Sequence, residues 1–161
     1  MHPEYRLSVD EVQLQVYADQ GSWVEAYDEL AQPLHIWLYE KQDFIALKER
    51  SNLEQLILSF DYVFAQVGQG GFIQLVQNGY ASLLVVVIES LQAFSICEPM
   101  VTILDDALKV MVLNREELGR ERSVDEFGKL YAEFTEFEDL EKNFMQELPG
   151  TLEAIVRLTM G

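Results

Sequence analysis

The sequence predicts an all-α fold, a single domain of about eight helices over residues 1–161, and three observations carry that prediction. The spacing Ser-x-x-Glu or Thr-x-x-Glu recurs at Ser8/Glu11, Ser22/Glu25, Ser51/Glu54, Ser95/Glu98, Ser123/Glu126 and Thr135/Glu138. In a capping box the hydroxyl takes the N3 amide and the glutamate reaches back to the N-cap amide, so each pair marks a helix start. Each is followed by apolar residues at helical spacing. No Pro/Gly/Ser-rich linker and no internal repeat divides the chain.

Taken in order, Ser8 and Ser22 open the first helical stretches. After Ser51, the residues Leu53, Leu56, Ile57, Phe60, Phe64 and Val67 form one stripe, and Leu58, Tyr62 and Val63 spread apolar character to the other face. This is a central helix ending near Gly68. Residues 72–78 form a short helix stopped by Asn78-Gly79. The run Leu83 to Ile88 is β-branched enough for a strand, but no partner strand is evident and the apolar pattern continues through Leu91 and Phe94. It is therefore a buried helix. Pro99, a favoured first-turn residue, starts a helix reaching about Leu113. Residues 114–123 read as a charged connection. Phe127, Leu130, Tyr131, Phe134, Phe137, Leu140, Phe144 and Leu148 then follow at helical spacing, with a break near Thr135. Pro149-Gly150 is expected to end that stretch, leaving Thr151 to Met160 as a last short helix.

The composition narrows function. Apolar residues make up 49% of the chain, so a full core is available. The apolar run Leu83 to Ile88 falls far short of the roughly 20 residues a membrane span needs. The stretch MHPEYRLSVDE lacks an apolar signal core, and one cysteine, Cys97, permits no internal disulfide; a cytoplasmic protein is expected. His2, His35 and one cysteine make no typical zinc set, and no calcium-loop pattern is present, so no metal is expected. With 28 acids against 11 bases the net charge is −17, which opposes direct nucleic-acid binding and favours basic partners. The excess is spread along the chain: residues 114–161 carry 12 acids and 6 bases.

The glycines at 68, 70 and 71 invite a phosphate-loop reading. Phe72, Ile73 and Gln74 follow them where such a loop needs Lys and Ser or Thr, and a helix precedes them where a dinucleotide fingerprint needs a strand. The structural reading is that Gly70 and Gly71 turn the chain with a positive φ, while Gln74 and Asn78, four apart, bond to each other or to the loop backbone. His35 lies among Leu34, Ile36 and Trp37 and reads as a satisfied core or edge histidine. Cys97 has no basic activator, and the pair Asp105/Asp106 is uninformative among so many carboxylates. No catalytic residue and no cofactor are expected, and the chain does not read as an enzyme.

What remains is the acidic surface. Residues 125–141 hold Asp125, Glu126, Glu133, Glu136, Glu138, Asp139 and Glu141 against Lys129 alone. Helical neighbours lie about 5–6 Å apart at Cβ, near the spacing of successive phosphates on a DNA strand. Such an array suits the Lys/Arg surface that a protein offers to the DNA backbone; it is equally the solvated face of an amphipathic helix.

The motif Gly70-Gly71-Phe72-x-Gln74-x-x-x-Asn78, followed by Gly79, resembles a bacterial family with the signature Asn-Gly-Gly-aromatic-x-Gln and a following Asn. Gln69 stands where that signature has its first Asn. Residues Ala81 to Phe94, Val101 to Leu108 and Asp125 to Glu147 match the family's later helices, and the resemblance covers roughly residues 50–148. The family, of the DNA mimic protein nineteen type, implies a helical homodimer that binds a transcriptional repressor and keeps it off its operator. Its loop marks the scaffold, so the acidic face is the expected partner-binding surface, for a basic DNA-binding regulator. Two alternatives stand beside it: an immunity protein neutralising a toxin such as a basic nuclease, and a small-molecule pocket around Gln74, Asn78 and His35. Trp23, Trp37 and Tyr39 serve either a dimer face or the core.

Overall fold

Eight α-helices and one 3-10 helix make up the computed structural model, which describes residues 9–41, 44–120 and 123–160. They are α1 (Glu11–Asp19), α2 (Trp23–Lys41), the 3-10 helix (Phe44–Glu49), α3 (Asn52–Gln77), α4 (Ser82–Ala93), α5 (Glu98–Leu113), α6 (Arg115–Gly119), α7 (Val124–Glu133) and α8 (Glu136–Thr159). No strand occurs among the described residues. The all-α class holds, and Leu83 to Ile88 is helical, as its continuation into Leu91 requires.

The start signals divide by what precedes them. Ser51 and Ser123 are true N-caps, accepting from the amides of Glu54 at 3.2 Å and Glu126 at 3.3 Å. Their hydroxyls donate to the same glutamates' carboxylates, at 2.8 and 3.2 Å. Ser8 lies outside the described residues, and Asp10 caps α1 through the amide of Gln13. Ser22 immediately precedes α2, its carbonyl accepting from Ala26. Ser95 is not a start signal. It is the left-handed residue that closes α4, with φ 55°; its own amide bonds Gln92 and the amide of Ile96 bonds Leu91. That is a Schellman closure with serine where glycine is usual. Cys97, at φ 57°, then caps α5 without a side-chain bond. Thr135 also fails as a side-chain cap, because its backbone is already helical and its carbonyl takes the Glu138 amide.

Two further expectations are corrected. The charged connection contains α6, held because Leu118 is buried. Pro149-Gly150 does not end a helix: α8 runs through it to Thr159. Proline removes one backbone bond to the carbonyl four residues back. Here Leu148, Thr151, Leu152, Ile155 and Val156 are buried on either side of it, and α8 packs against α2, α3 and α5, so packing outweighs that loss. Thr151 also donates to the Glu147 carbonyl at 2.9 Å.

The core is built around α3, which packs against α2, α4, α6 and α8. Leu56, Ile57, Leu58, Phe60, Val63, Val67, Phe72, Ile73 and Leu75 are buried on more than one face of it. Aromatic rings link the layers: Tyr27 meets Phe60 at 6.0 Å, Phe60 meets Phe144 at 6.1 Å, and Phe72 sits between Phe144 at 6.1 Å and Phe137 at 5.7 Å. Tyr27 also donates its hydroxyl to the Ile57 carbonyl inside α3, where the Ser-capped turn is already closed. Arg50 is buried in an ion pair with Glu54 one turn on, and its guanidinium lies 4.4 Å from the centre of the Trp37 ring. Trp23 similarly supports Arg157 at 5.0 Å. Both tryptophans are thus half-buried packing residues, whereas Tyr39 is 81% exposed.

Among the described residues no single helix is long and apolar enough to cross a membrane.

Candidate protein-interaction face

The glycine motif is a break inside α3. Gly70 (φ −148°, ψ 16°) and Gly71 (φ 73°, ψ −172°) leave helical geometry, and the helix resumes at Phe72. Only Gly71 has the positive φ; Gly70 is kept free of a side chain because a Cβ there would meet Gln74 Oε1 at 2.0 Å. The resumed helix ends at Asn78, where the amides of Gly79 (φ 82°) and Tyr80 bond the carbonyls of Val76 and Leu75 in a second Schellman closure. The axis turns by 118° into α4.

Gln74 and Asn78 do not bond to each other. Both donate to one acceptor, Gln66 Oε1, at 3.2 and 2.7 Å, and Gln74 also reaches Gln69 Oε1 at 3.3 Å. The side chain one helical turn and more before the break therefore ties together the two limbs of α3. Gln69 contributes an acceptor to this cluster. Gln66 was not a residue the sequence singled out; its only signal is a third amide side chain on the same helix.

The break is also where the acidic segment attaches. Opening α3 at Gly70-Gly71 frees the Phe72 amide, which donates to Glu141 Oε1 of α8 at 2.9 Å. The Gly70 carbonyl accepts from the Tyr131 hydroxyl of α7 at 2.7 Å. A Cβ on Gly71 would sit 2.1 Å from Glu141 Oε1, so glycine is required both by φ and by the approach of the carboxylate. Burial is the main cause that raises the Glu141 carboxyl above its ordinary value; the Phe72 amide opposes it and the Glu138 charge adds to it. Burial and the Glu141 charge likewise raise the Tyr131 phenol. Beneath this clasp Leu130, Phe134 and Phe137 are buried, and Phe134 meets Phe137 at 6.4 Å. The side chain of Phe127 lies outside the described residues.

The seven acidic residues therefore separate. Asp125, Glu126, Glu133, Glu136, Glu138 and Asp139 are exposed on α7 and the first turns of α8, while Glu141 turns inward, half-buried, to hold the break. Ion pairs elsewhere use Glu117 with Arg120, Asp105 and Asp106 with Lys109, and Glu153 with Arg157. Among the described residues none of the six exposed carboxylates is in an ion pair. They lie exposed on the two elements that the glycine break holds through Tyr131 and Glu141.

His35 takes a different partner from the one that Gln74 and Asn78 share. His35 pairs through Nε2 with Asp61 of α3 and packs edge-on to Tyr62 at 5.1 Å, as a half-buried structural histidine does. Burial first, then the neighbouring Tyr80 and Asp61, raise the Tyr62 phenol. Clefts of about 630, 310 and 250 Å³ open elsewhere on the surface, and none of the three is lined by His35, Gln74 or Asn78. Cys97 is half-buried, and that burial pushes its thiol up, away from a reactive thiolate. Among the described residues no group of three or more His, Cys, Asp or Glu is placed to hold a metal ion.

Fold and site together define an acidic all-α protein that presents carboxylates on a scaffold pinned to a glycine break. The family model of the DMP19-like protein matches residues 48–159, and the chain belongs to that family. The matched region runs from the 3-10 helix to the end of α8, so it holds both the break and the acidic face and leaves α1 and α2 outside. No curated protein and no solved structure matches the chain.

Proposed function

We propose that this is a cytoplasmic acidic interaction module, not an enzyme, that inhibits a basic DNA-binding regulator by occupying its DNA surface. The observation that carries this reading is the set of six exposed carboxylates on α7 and the start of α8, in no ion pair among the described residues, on elements held by Tyr131 and Glu141 to the break in α3. A preorganised array loses little freedom on binding and steers a cationic partner over a distance set by the salt. The family's name and the resemblance to DNA-mimic proteins support the same reading. A homodimer belongs to it, and the exposed edge of α2 at Ile36 (62%) and Tyr39 (81%) is the apolar surface that supports one. Sedimentation of the wild type beside Ile36→Glu/Tyr39→Glu tests the dimer: one dimeric species reduced to monomer supports it, and a monomeric wild type rejects it.

The functional reading is tested by reversing charge at Glu133, Glu136 and Asp139 together, all exposed and none of them a hydrogen-bond partner in the clasp. Association with a DNA-binding regulator captured by the wild type is expected to fall by about a hundredfold or more, with an unchanged helical spectrum. For the wild type, raising salt from about 50 to 200 mM is expected to weaken binding by about tenfold or more. Affinity unmoved by the triple reversal rejects the face.

A further inference from the structure

A second surface lies along the hairpin that α4 and α5 form. The two helices pack together across a turn of residues 94–97, which sets them antiparallel. Between them runs a cleft of about 630 Å³. Its floor is apolar, from buried Leu91 and half-buried Ile96 and Val101, and its wall is acidic, from Glu98, Asp105 and Asp106.

The sequence of α5 explains this. Met100, Ile103, Leu104, Ala107 and Met111 face the core. Glu98, Thr102, Asp105, Lys109 and Val112 recur at intervals of four and three, on the other face, and the first four line the cleft. The same stripe ends in exposed apolar residues, Val112 at 59% and Leu113 at 84%. Val85, 41% exposed, lies seven residues before the cleft residue Gln92 and so shares its face of α4. The surface is therefore acidic near the 94–97 turn and apolar at the far end, over a helix about 24 Å long.

Lys109 shows which chemistry the acids accept. Its Nζ lies 3.0 Å from Asp105 and 3.9 Å from Asp106, and those carboxylates raise its pKa, the hydrogen bond to Asp105 first. The side chain is two-thirds exposed, so a partner's cation can take its place.

We propose that the α4–α5 groove docks a basic amphipathic helix of a partner protein. Lysine or arginine side chains meet Asp105, Asp106 and Glu98, and apolar side chains cover Val101 and the Val112–Leu113 end. A helix laid into the groove completes a three-helix packing and reads both the acidic wall and the apolar floor. An anionic ligand is opposed by the wall. This docking site is independent of the α7–α8 face, and either can fail alone.

The test uses the full chain and a fluorescein-labelled peptide of about 16 residues, matched to the groove length, with lysines on one helical face and leucines on the other. A second peptide carries the same residues in an order that does not segregate them. Anisotropy is expected to show saturable binding of the first peptide, at least about tenfold tighter than the second. Asp105→Lys/Asp106→Lys and Leu113→Glu are each expected to weaken it by about tenfold, and Lys109→Gln to tighten it by a few-fold by freeing the acids. Reversal at Glu133, Glu136 and Asp139 is expected to leave it within about twofold. Amide NMR shifts confined to residues 85–113 of the folded wild type support the site without any variant. No binding, equal binding of both peptides, or shifts centred on α7 and α8 overturns it.

Discussion

Gly71 carries two constraints at once. Its φ of 73° disfavours any L side chain, and the space where a Cβ would go is filled by the Glu141 carboxylate. Gly71→Ala is expected to cost about 1–3 kcal/mol, read as a lower urea midpoint. Gly68, three residues earlier, has ordinary helical surroundings, with Phe64 at 3.9 Å. Gly68→Ala is expected to be neutral or to stabilise by up to about 1 kcal/mol. Equal costs at the two positions would contradict the clasp. Glu141 supplies a second test. Its carboxyl is raised in the folded chain, by burial before any other cause, so the folded state holds the proton more tightly than the unfolded chain. The stability this proton gives is complete below the unfolded value and is lost as the pH rises through the folded value. At neutral pH the ionised group therefore opposes folding. Glu141→Gln keeps an acceptor for the Phe72 amide and removes the charge, so it is expected to raise the unfolding temperature at pH 7 and to leave it unchanged near pH 3.5. A gain of the same size at both pH values would assign the effect to packing.

At the scale of the helices, a start signal is legible only where the preceding residues do not already own it. Ser51 and Ser123 cap as their spacing predicts. Ser95 has the same spacing but lies two residues past the end of α4, and the preceding helix uses it to close. Replacing this left-handed serine by glycine, Ser95→Gly, is expected to stabilise the chain by about 1 kcal/mol, measured by thermal unfolding. A destabilised variant would mean that the Ser95 side chain makes a contact the closure does not need. Pro149 misled for the related reason that a local signal lost to tertiary packing: the buried residues from Phe144 to Val156 keep α8 continuous through it. The β-branched run in α4 was readable because its pattern extended beyond six residues to Leu91. The short α6 was hidden because one buried leucine among charges makes no periodic pattern.

At the scale of the whole molecule, the all-helical class, the single core and the acidic excess were all legible in composition and periodicity. The attachment of the acidic segment was not. Glu141 and Phe72 are 69 residues apart, and nothing in a run of carboxylates says which one turns inward. The same holds for Gln66, whose role depends on α3 folding back across its own break. The resulting picture gives the glycine motif and the acidic face one logic: the break opens backbone groups, Glu141 and Tyr131 take them, and the helices that carry six exposed carboxylates, in no ion pair among the described residues, are thereby held. The most direct test of that claim is capture from native lysate with the tagged wild type and the Glu133→Lys/Glu136→Lys/Asp139→Lys variant side by side, eluted with salt and challenged with duplex DNA. The account predicts a basic DNA-binding protein held by the wild type, released by moderate salt, displaced by the duplex and absent from the variant. A partner retained equally by both, indifferent to salt and to DNA, would contradict it.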